Sequence, residues 1–419
     1  MIRPVLFTFL SRASAAVLNF GTMVLLSRYL GAEGKGLASK LMVLIAGIQI
    51  IADFSGGAAM VFLSSRHRLK SLLLPAWSWA VMCSIIAAIV LIQTENGNVF
   101  GWHLALLAFL CSTLNQHIHL LNGRSAFQEG NILTFLQALF IFGSVFLLFQ
   151  KTAEISAYIH ALYIGWGLPW LISLWMLYRL PESNIDGAGR LSGFKHLLRY
   201  GSANQTGHLV QYLTQRIAFY LLPAFSLGVY SNAITLSEAL WMFASAVAVV
   251  QYGTISNSQN KDYAAQLSLV LMKLVFVLTA LGGLFLVLIP QTVYIRLFGN
   301  EFGGIVQVLP LLYPGICMMS VYLIAGHYFS GLGKFRQNNY ALLSGLLVSI
   351  VSYGLIYIYD YQITLQTVAF ITTLANGAIF FSVLWLFSMH TRLRFKDFMF
   401  SRNDIQQFQA LLLRKKAEL

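Results

Sequence analysis

Apolar runs of about twenty residues recur along the whole of this chain, and that is the length an α-helix needs to cross the roughly 30 Å hydrocarbon core of a bilayer. They occupy 4–27, 40–62, 72–92, 99–121, 132–149, 157–178, 200–222, 229–252, 267–289, 305–329, 340–359 and 363–389. The runs are continuous, whereas strands of a membrane β-barrel would read as segments of about ten residues with alternating polarity. Lipid offers no partner to an exposed peptide group, so such runs fold as helices that satisfy their own backbone. Composition removes the soluble alternative: 58% of the residues are hydrophobic and 10% charged, against about 25% charged in soluble domains. The expected fold class is an all-α integral membrane protein of about twelve transmembrane helices. Ala13-Ser14-Ala15 has the small residues of a signal-cleavage site, but the apolar core before it is short and the run continues past it, so it reads as part of an uncleaved first span.

The basic residues in the connections give the orientation. With the N-terminus in the cytoplasm, 19 of the 27 Lys and Arg residues fall in cytoplasmic segments and 5 on the opposite side, while Arg12, Arg216 and Lys273 lie within runs. The bias of Lys and Arg toward the cytoplasm then places both termini there. The net charge of +13 is thus a topology signal and an attraction to anionic membrane lipids, and it makes no case for nucleic acid.

Organisation follows from the longest connection. Residues 179–199 contain Pro181, Gly187, Gly189 and Gly193 and read as a cytoplasmic linker between a six-helix lobe at 1–178 and another at 200–389. Short echoes support a repeat: Tyr29-Leu30-Gly31-Ala32-Glu33-Gly34 matches Ser226-Leu227-Gly228-Val229-Tyr230-Ser231, and Asn122-Gly123 with Asn131 matches Ser330-Gly331 with Asn339. Equal halves that start on the same side make the repeat parallel, with a pseudo-twofold axis along the membrane normal and the transport path between the lobes. The tail at 390–419 gathers Phe395, Phe398, Met399, Ile405, Phe408, Leu411 and Leu412 on one helical side, with Arg392, Arg394 and Lys396 at its start, as expected of a basic amphipathic helix on the cytoplasmic leaflet.

Polarity inside the spans marks the candidate site. In the seventh run Asn204, His208, Gln211 and Gln215 fall at i, i+4, i+7 and i+11, one side of a helix, with Gln205, Tyr212 and Arg216 beside them. Two readings stay open: a face lining an aqueous cavity, or a stripe that joins helices by hydrogen bonds. Arg12 and Asn19 give the first run a similar face, though Arg12 also lies near enough to the surface to snorkel. Asp53 in the second run and Glu238 in the eighth are intramembrane carboxylates, candidates for ion coupling or for pairing with an arginine. Cys83, Cys111 and Cys317 sit in apolar runs, and His117 and His119 lie on different helix faces, so no metal site, cofactor or catalytic constellation is expected.

The stretch Leu26-Ser27-Arg28-Tyr29-Leu30-Gly31-Ala32-Glu33-Gly34-Lys35-Gly36, after a first span with an early arginine, resembles the bacterial polysaccharide flippases of the Wzx type. So does the seventh-span entry, Leu197-Leu198-Arg199-Tyr200-Gly201-Ser202. That family belongs with lipid II flippases and MATE antiporters in the MOP superfamily, and the likeness in length, hydrophobicity and span number covers nearly the whole chain. It implies a V-shaped, two-lobed transporter of the bacterial cytoplasmic (inner) membrane. Its expected substrate is an undecaprenyl-pyrophosphate-linked oligosaccharide, moved to the periplasmic leaflet by alternating access, with a polysaccharide polymerase and a chain-length regulator as further partners. Cationic residues of the central cavity hold the anionic substrate in that family, and Arg12 and Arg216 match by position. O-antigen, capsule and exopolysaccharide units remain equally open. Rival classes are a cation-coupled exporter of small molecules and a polytopic glycan polymerase or ligase, the latter expected to carry a longer external loop than this chain has.

Overall fold

The computed structural model describes residues 2–64, 67–92, 97–180, 190–256, 260–391, 393 and 395–398, and among these all regular structure is helical. Ten stretches are long and apolar enough to cross a membrane. The first of them, Leu10–Ser64, runs to 55 residues, at 1.5 Å per residue far longer than one crossing, and it is broken at Gly31, whose φ of 67° and ψ of −173° no helix contains. It therefore makes two crossings. Helix α7 (Arg190–Arg216) adds another, 27 residues long and more polar than the rest. The chain is a multi-pass membrane protein, and twelve crossings result.

Helix α1 (Ile2–Ala52) thus contains the first span and most of the second, with a single left-handed glycine where the sequence suggested a connection of a dozen residues. A short 3-10 turn at Asp53–Ser55 and Gly57, with φ of 50°, interrupt the second span before α2 (Gly57–Ser64). Helices α3 (Leu69–Ile92), α4 (Gly97–Gly123), α5 (Phe127–Phe149) and α6 (Ile155–Tyr178) follow. Beyond α7 come α8 (Ala218–Leu221), α9 (Ala224–Ala239), α10 (Trp241–Ser256), α11 (Lys261–Leu288), α12 (Gln291–Phe298), α13 (Ile305–Gly331), α14 (Phe335–Ile358) and α15 (Leu365–Thr391). Helix α7 begins inside the expected linker, whose residues 181–189 lie outside the described residues, as do residues 399–419 of the expected amphipathic tail. Of that tail, Phe395–Phe398 forms a 3-10 turn, with Phe398 edge-on to Phe387.

The chain divides into two compact units. Unit 1 comprises Met1–Leu209, Pro223–Gly228 and Ile295–Phe302. Its core is built where α1, α4, α5 and α6 meet, around Leu41, Leu107, Val145, Leu162 and Trp166, all fully buried. The segment after α11 joins this unit through helix ends. Arg28 donates from Nε to the Leu297 carbonyl at 3.0 Å and from Nη2 to that of Arg296, and Ala32 N–H donates to Glu301 Oε2 at 2.6 Å. A cation thus caps the C-terminal carbonyls of α12, and an anion caps the helix that restarts after Gly31, each matching the sign of the helix dipole it meets. The two echoing stretches of the sequence also touch here: Gly36 lies against the Ala224 carbonyl and Gly228 against that of Ala32, with no room for a Cβ at either.

Unit 2 comprises Val210–Leu222, Val229–Tyr294 and Gly303–Leu419. Its core packs Met319, Ile324, Ala325, Phe329, Ile379 and Phe387 between α13, α15 and their neighbours. Part of the packing is shared by the two units. In unit 1, α4 packs on α2, α3, α5 and α6; in unit 2, α13 packs on α10, α11, α14 and α15. The match extends to residues, since Gly123 at the end of α4 meets Val61 of α2 and Gly331 at the end of α13 meets Tyr252 and Ile255 of α10.

Candidate functional site

Polar side chains gather at the helix interruptions. In unit 2, Pro223 disfavours a helical residue before it, and Leu222 is extended, with ψ of 140°. The chain therefore leaves α7 at Arg216, makes the one-turn α8 and re-enters as α9. Arg216 Nη2 donates to Glu238 Oε2 at 2.7 Å, with side chains 23% and 21% exposed. Glu238 is the penultimate residue of α9, where a carboxylate opposes the helix dipole, and the guanidinium offsets that cost. The guanidinium carbon also lies 5.1 Å from the centre of the Phe219 ring, which meets Tyr230 edge-on. Arg216 Nη1 is buried and has no hydrogen-bond partner.

Neutral hydrogen-bonding groups surround this pair. Gln215, 5% exposed, donates from Nε2 to Asn376 Oδ1 of α15 at 2.6 Å and keeps a buried, unpartnered Oε1. Thr372 donates to the Val368 carbonyl at 3.0 Å, so the 2.9 Å contact between Tyr230 OH and Thr372 Oγ1 has the tyrosine as donor. Tyr212 and Tyr220 hydroxyls lie 3.3 Å apart.

The predicted polar face of α7 is thus graded. His208 is exposed, Gln211 and Arg216 are half-buried and Gln215 is buried, while the side chain of Asn204 lies outside those described. At Gln215 the interhelical bond to Asn376 has the form of the joining stripe. In unit 1, Arg12 and Asn19 are exposed, and Arg12 makes neither ion pair nor hydrogen bond among the described residues. Asn131 instead donates to Thr8 at 2.8 Å.

The carboxylates of the second and eighth runs have different surroundings. Glu238 is paired with Arg216, whereas Asp53 is 6% exposed and has no ion pair among the described residues. Asp53 stands at the interruption after α1, beside Gln49, Gln116 and Gln205. No sequence rule singles out Gln49, Gln116, Asn376 or Thr372, since each is one polar residue within an apolar run. Nor do the histidines assemble a metal site among the described residues. His117 Nε2 accepts from Trp77 Nε1 at 3.2 Å, so Nδ1 carries the proton and donates to Ser173 Oγ at 2.6 Å, a neutral helix-joining imidazole.

No protein-family model matches this chain, and no curated protein sequence does. Solved structures do match. An inward-facing multidrug resistance MATE family transporter of the MOP superfamily is similar over 90% of this chain and 94% of its own, with 13% identity and a TM-score of 0.74. The same comparison with an outward-facing conformation of a multidrug resistance MATE family transporter gives 93%, 95%, 14% and 0.64. The lipid II flippase MurJ in an inward closed conformation is similar over 95% of this chain and 89% of its own, with 15% identity and a TM-score of 0.67. At such identities the likeness is one of architecture, and it establishes that this chain has the fold shared by the MATE transporters and the lipid II flippase of the MOP superfamily.

Proposed function

We propose that this protein is a flippase for a lipid-linked oligosaccharide of the undecaprenyl-pyrophosphate class, working by alternating access in the bacterial cytoplasmic membrane with both termini in the cytoplasm. The observation that carries the reading is the unpartnered Nη1 of Arg216 amid carboxamides and tyrosines. A pyrophosphate needs a forked cation and a sugar needs neutral donors and acceptors, and arginine suits the first because its planar fork matches phosphate oxygens. Glu238 holds the guanidinium through Nη2, so an anion that reaches the buried Nη1 edge when the lobes open binds it without breaking that bond. Arg12, exposed and unpaired among the described residues, is the matching cation of the first run. Asn19, Asn204, His208 and Gln211 are the further sugar contacts of this reading. A polysaccharide polymerase and a chain-length regulator are the partners such a flippase would serve. An exporter of cationic drugs shares the fold, but in this cluster the carboxylate it would use is already neutralised by Arg216.

Arg216→Ala alone would strand a half-buried Glu238 and lower protein abundance, since breaking a buried pair costs about 3–5 kcal/mol. The paired change Arg216→Gln with Glu238→Gln removes both charges together. Its membrane level should stay near wild type. Surface polysaccharide should fall roughly ten- to a hundredfold, the loss of one charge-assisted hydrogen bond worth about 1.5–3 kcal/mol. Wild-type polymer from the paired variant would refute the reading.

A further inference from the structure

The surface of unit 1 carries a groove of about 630 Å³ between α3, α4 and α6. Gly101 and Ala105, one turn apart on α4, are small enough to leave a hollow, which Ile85 of α3 and Leu106 and Phe109 of α4 wall with hydrocarbon. Gly101, with φ of 39°, breaks the helix at the head of the groove, and nothing lies within 4 Å of where its Cβ would stand. Ile85 and Leu106 are exposed, as apolar side chains of a membrane protein are where they meet lipid, so the groove opens to the bilayer. Trp102 stands at the start of the membrane-crossing stretch Gly101–Gly123, which puts it at the interface with the headgroups. Phe109 is seven residues, about 10 Å, further in.

The interfacial end of the groove is polar, and what it offers is donors. Tyr163 OH lies 2.8 Å from His103 Nδ1 and has no other hydrogen-bond partner among the described residues. The phenol proton therefore goes to Nδ1, and the neutral imidazole carries its own on Nε2. Trp102 Nε1–H also lacks a partner among the described residues, on a side chain 61% exposed. In the α3 wall, Ser84 Oγ is buried and unpartnered. No lysine, arginine, aspartate or glutamate lines the groove among the described residues. From this pattern we propose that the groove binds a zwitterionic phospholipid, its phosphate accepting from Trp102 Nε1 and His103 Nε2 and its acyl chains lying along α4. The volume suits that occupant, since at about 30 Å³ for a water-sized group it holds roughly twenty chain carbons. Charge selects among lipids: a phosphodiester that carries its own ammonium needs only neutral donors, whereas an anionic lipid or a pyrophosphate brings charge that no cation of the groove offsets. Ester carbonyls give the Ser84 hydroxyl an acceptor, which a polyprenyl chain lacks. The inference stands apart from the flippase reading and does not rest on it.

The test is native mass spectrometry of the purified, delipidated full-length protein after incubation with phosphatidylethanolamine or with phosphatidylglycerol of the same chains. One phosphatidylethanolamine per protein should be retained in preference to phosphatidylglycerol. Trp102→Phe combined with His103→Phe removes both donors and keeps the aromatic bulk; affinity should fall roughly tenfold, as expected for two neutral hydrogen bonds. Ala105→Phe keeps the donors and fills the hollow, and should lower retention at least as much. Trp102 and His103 are exposed and Ala105 is half-buried, so both variants should fold, with thermal midpoints in lipid-free detergent near wild type. Phe243→Ala, at an exposed position of unit 2, should leave retention unchanged. None of these readings involves polysaccharide export, so failure of the lipid site and failure of the flippase reading are separable. Equal retention of the two phospholipids, tighter retention of undecaprenyl phosphate than of phosphatidylethanolamine, or undiminished binding by both groove variants would each overturn the assignment.

Discussion

A buried hydroxyl in this protein has a value set by who accepts from whom. Tyr230 OH donates to Thr372 Oγ1, while Thr372 spends its own proton on the Val368 carbonyl. The two side chains are therefore unequal. Thr372→Val strands the tyrosine hydroxyl at a site where Tyr230 is fully buried, and an orphaned buried donor costs about 1–3 kcal/mol. Tyr230→Phe leaves the threonine satisfied and should cost less than about 1 kcal/mol. Adding Tyr230→Phe to Thr372→Val should restore most of the lost stability, which a double-mutant cycle of thermal midpoints would measure; strictly additive losses would contradict the donor assignment. The sequence displays neither residue as special. Polarity at helical spacing in 200–223 is legible, but the partner that turns Gln215 into a joining residue, Asn376, is 161 positions away.

The helix break at Gly31 shows what an element's sequence does and does not reveal. The left-handed φ of 67° is a conformation that costs an L-residue about 1–2 kcal/mol, and a Cβ there would also stand 2.8 Å from Glu301 Oε2. Gly31→Ala should therefore destabilise the protein by at least that amount. Gly143, within α5, has open space around its Cβ position, and there alanine should be neutral or stabilising by up to about 1 kcal/mol through helix propensity alone. Thermal midpoints of the two variants should move in opposite directions or leave Gly143→Ala unchanged; equal losses would show that backbone conformation is not the cause. A glycine between two apolar runs reads as a turn in the sequence. That the turn is a single residue depends on Glu301 capping the restarted helix at Ala32, a contact over 269 positions.

At the scale of the whole molecule, twelve crossings return the chain to the side on which it started. With Cys83, Cys111 and Cys317 replaced, single cysteines placed at Lys151 and at Tyr361 should react with an impermeant maleimide added to intact cells, and a cysteine near the C-terminus should react only after lysis. The opposite pattern would invert the orientation given by the basic residues. The shared part of the packing, α4 with its neighbours and α13 with its own, explains why short echoes such as Asn122-Gly123 and Ser330-Gly331 survive. Each glycine sits at the end of a central helix of its unit: at Gly123 the Val61 backbone leaves no space for a side chain, and at Gly331 the Ile255 side chain crowds the Cβ position. The rest of the two halves is free to differ as long as it stays apolar.

By itself the sequence determined that this is a helical membrane protein with twelve crossings, because in lipid every peptide group must be bonded within its own segment and the length of a crossing is set by the bilayer. It also displayed the two intramembrane carboxylates and the arginines, since a charge in an apolar run is conspicuous wherever it falls. Tertiary structure decided which charges meet. Glu238 is neutralised by Arg216, whereas among the described residues Asp53 has carboxamides and a thiol around it. These opposite environments arise from contacts between helices distant in the chain, and helix–helix packing depends on shape and on single hydrogen bonds that hydropathy and spacing do not encode.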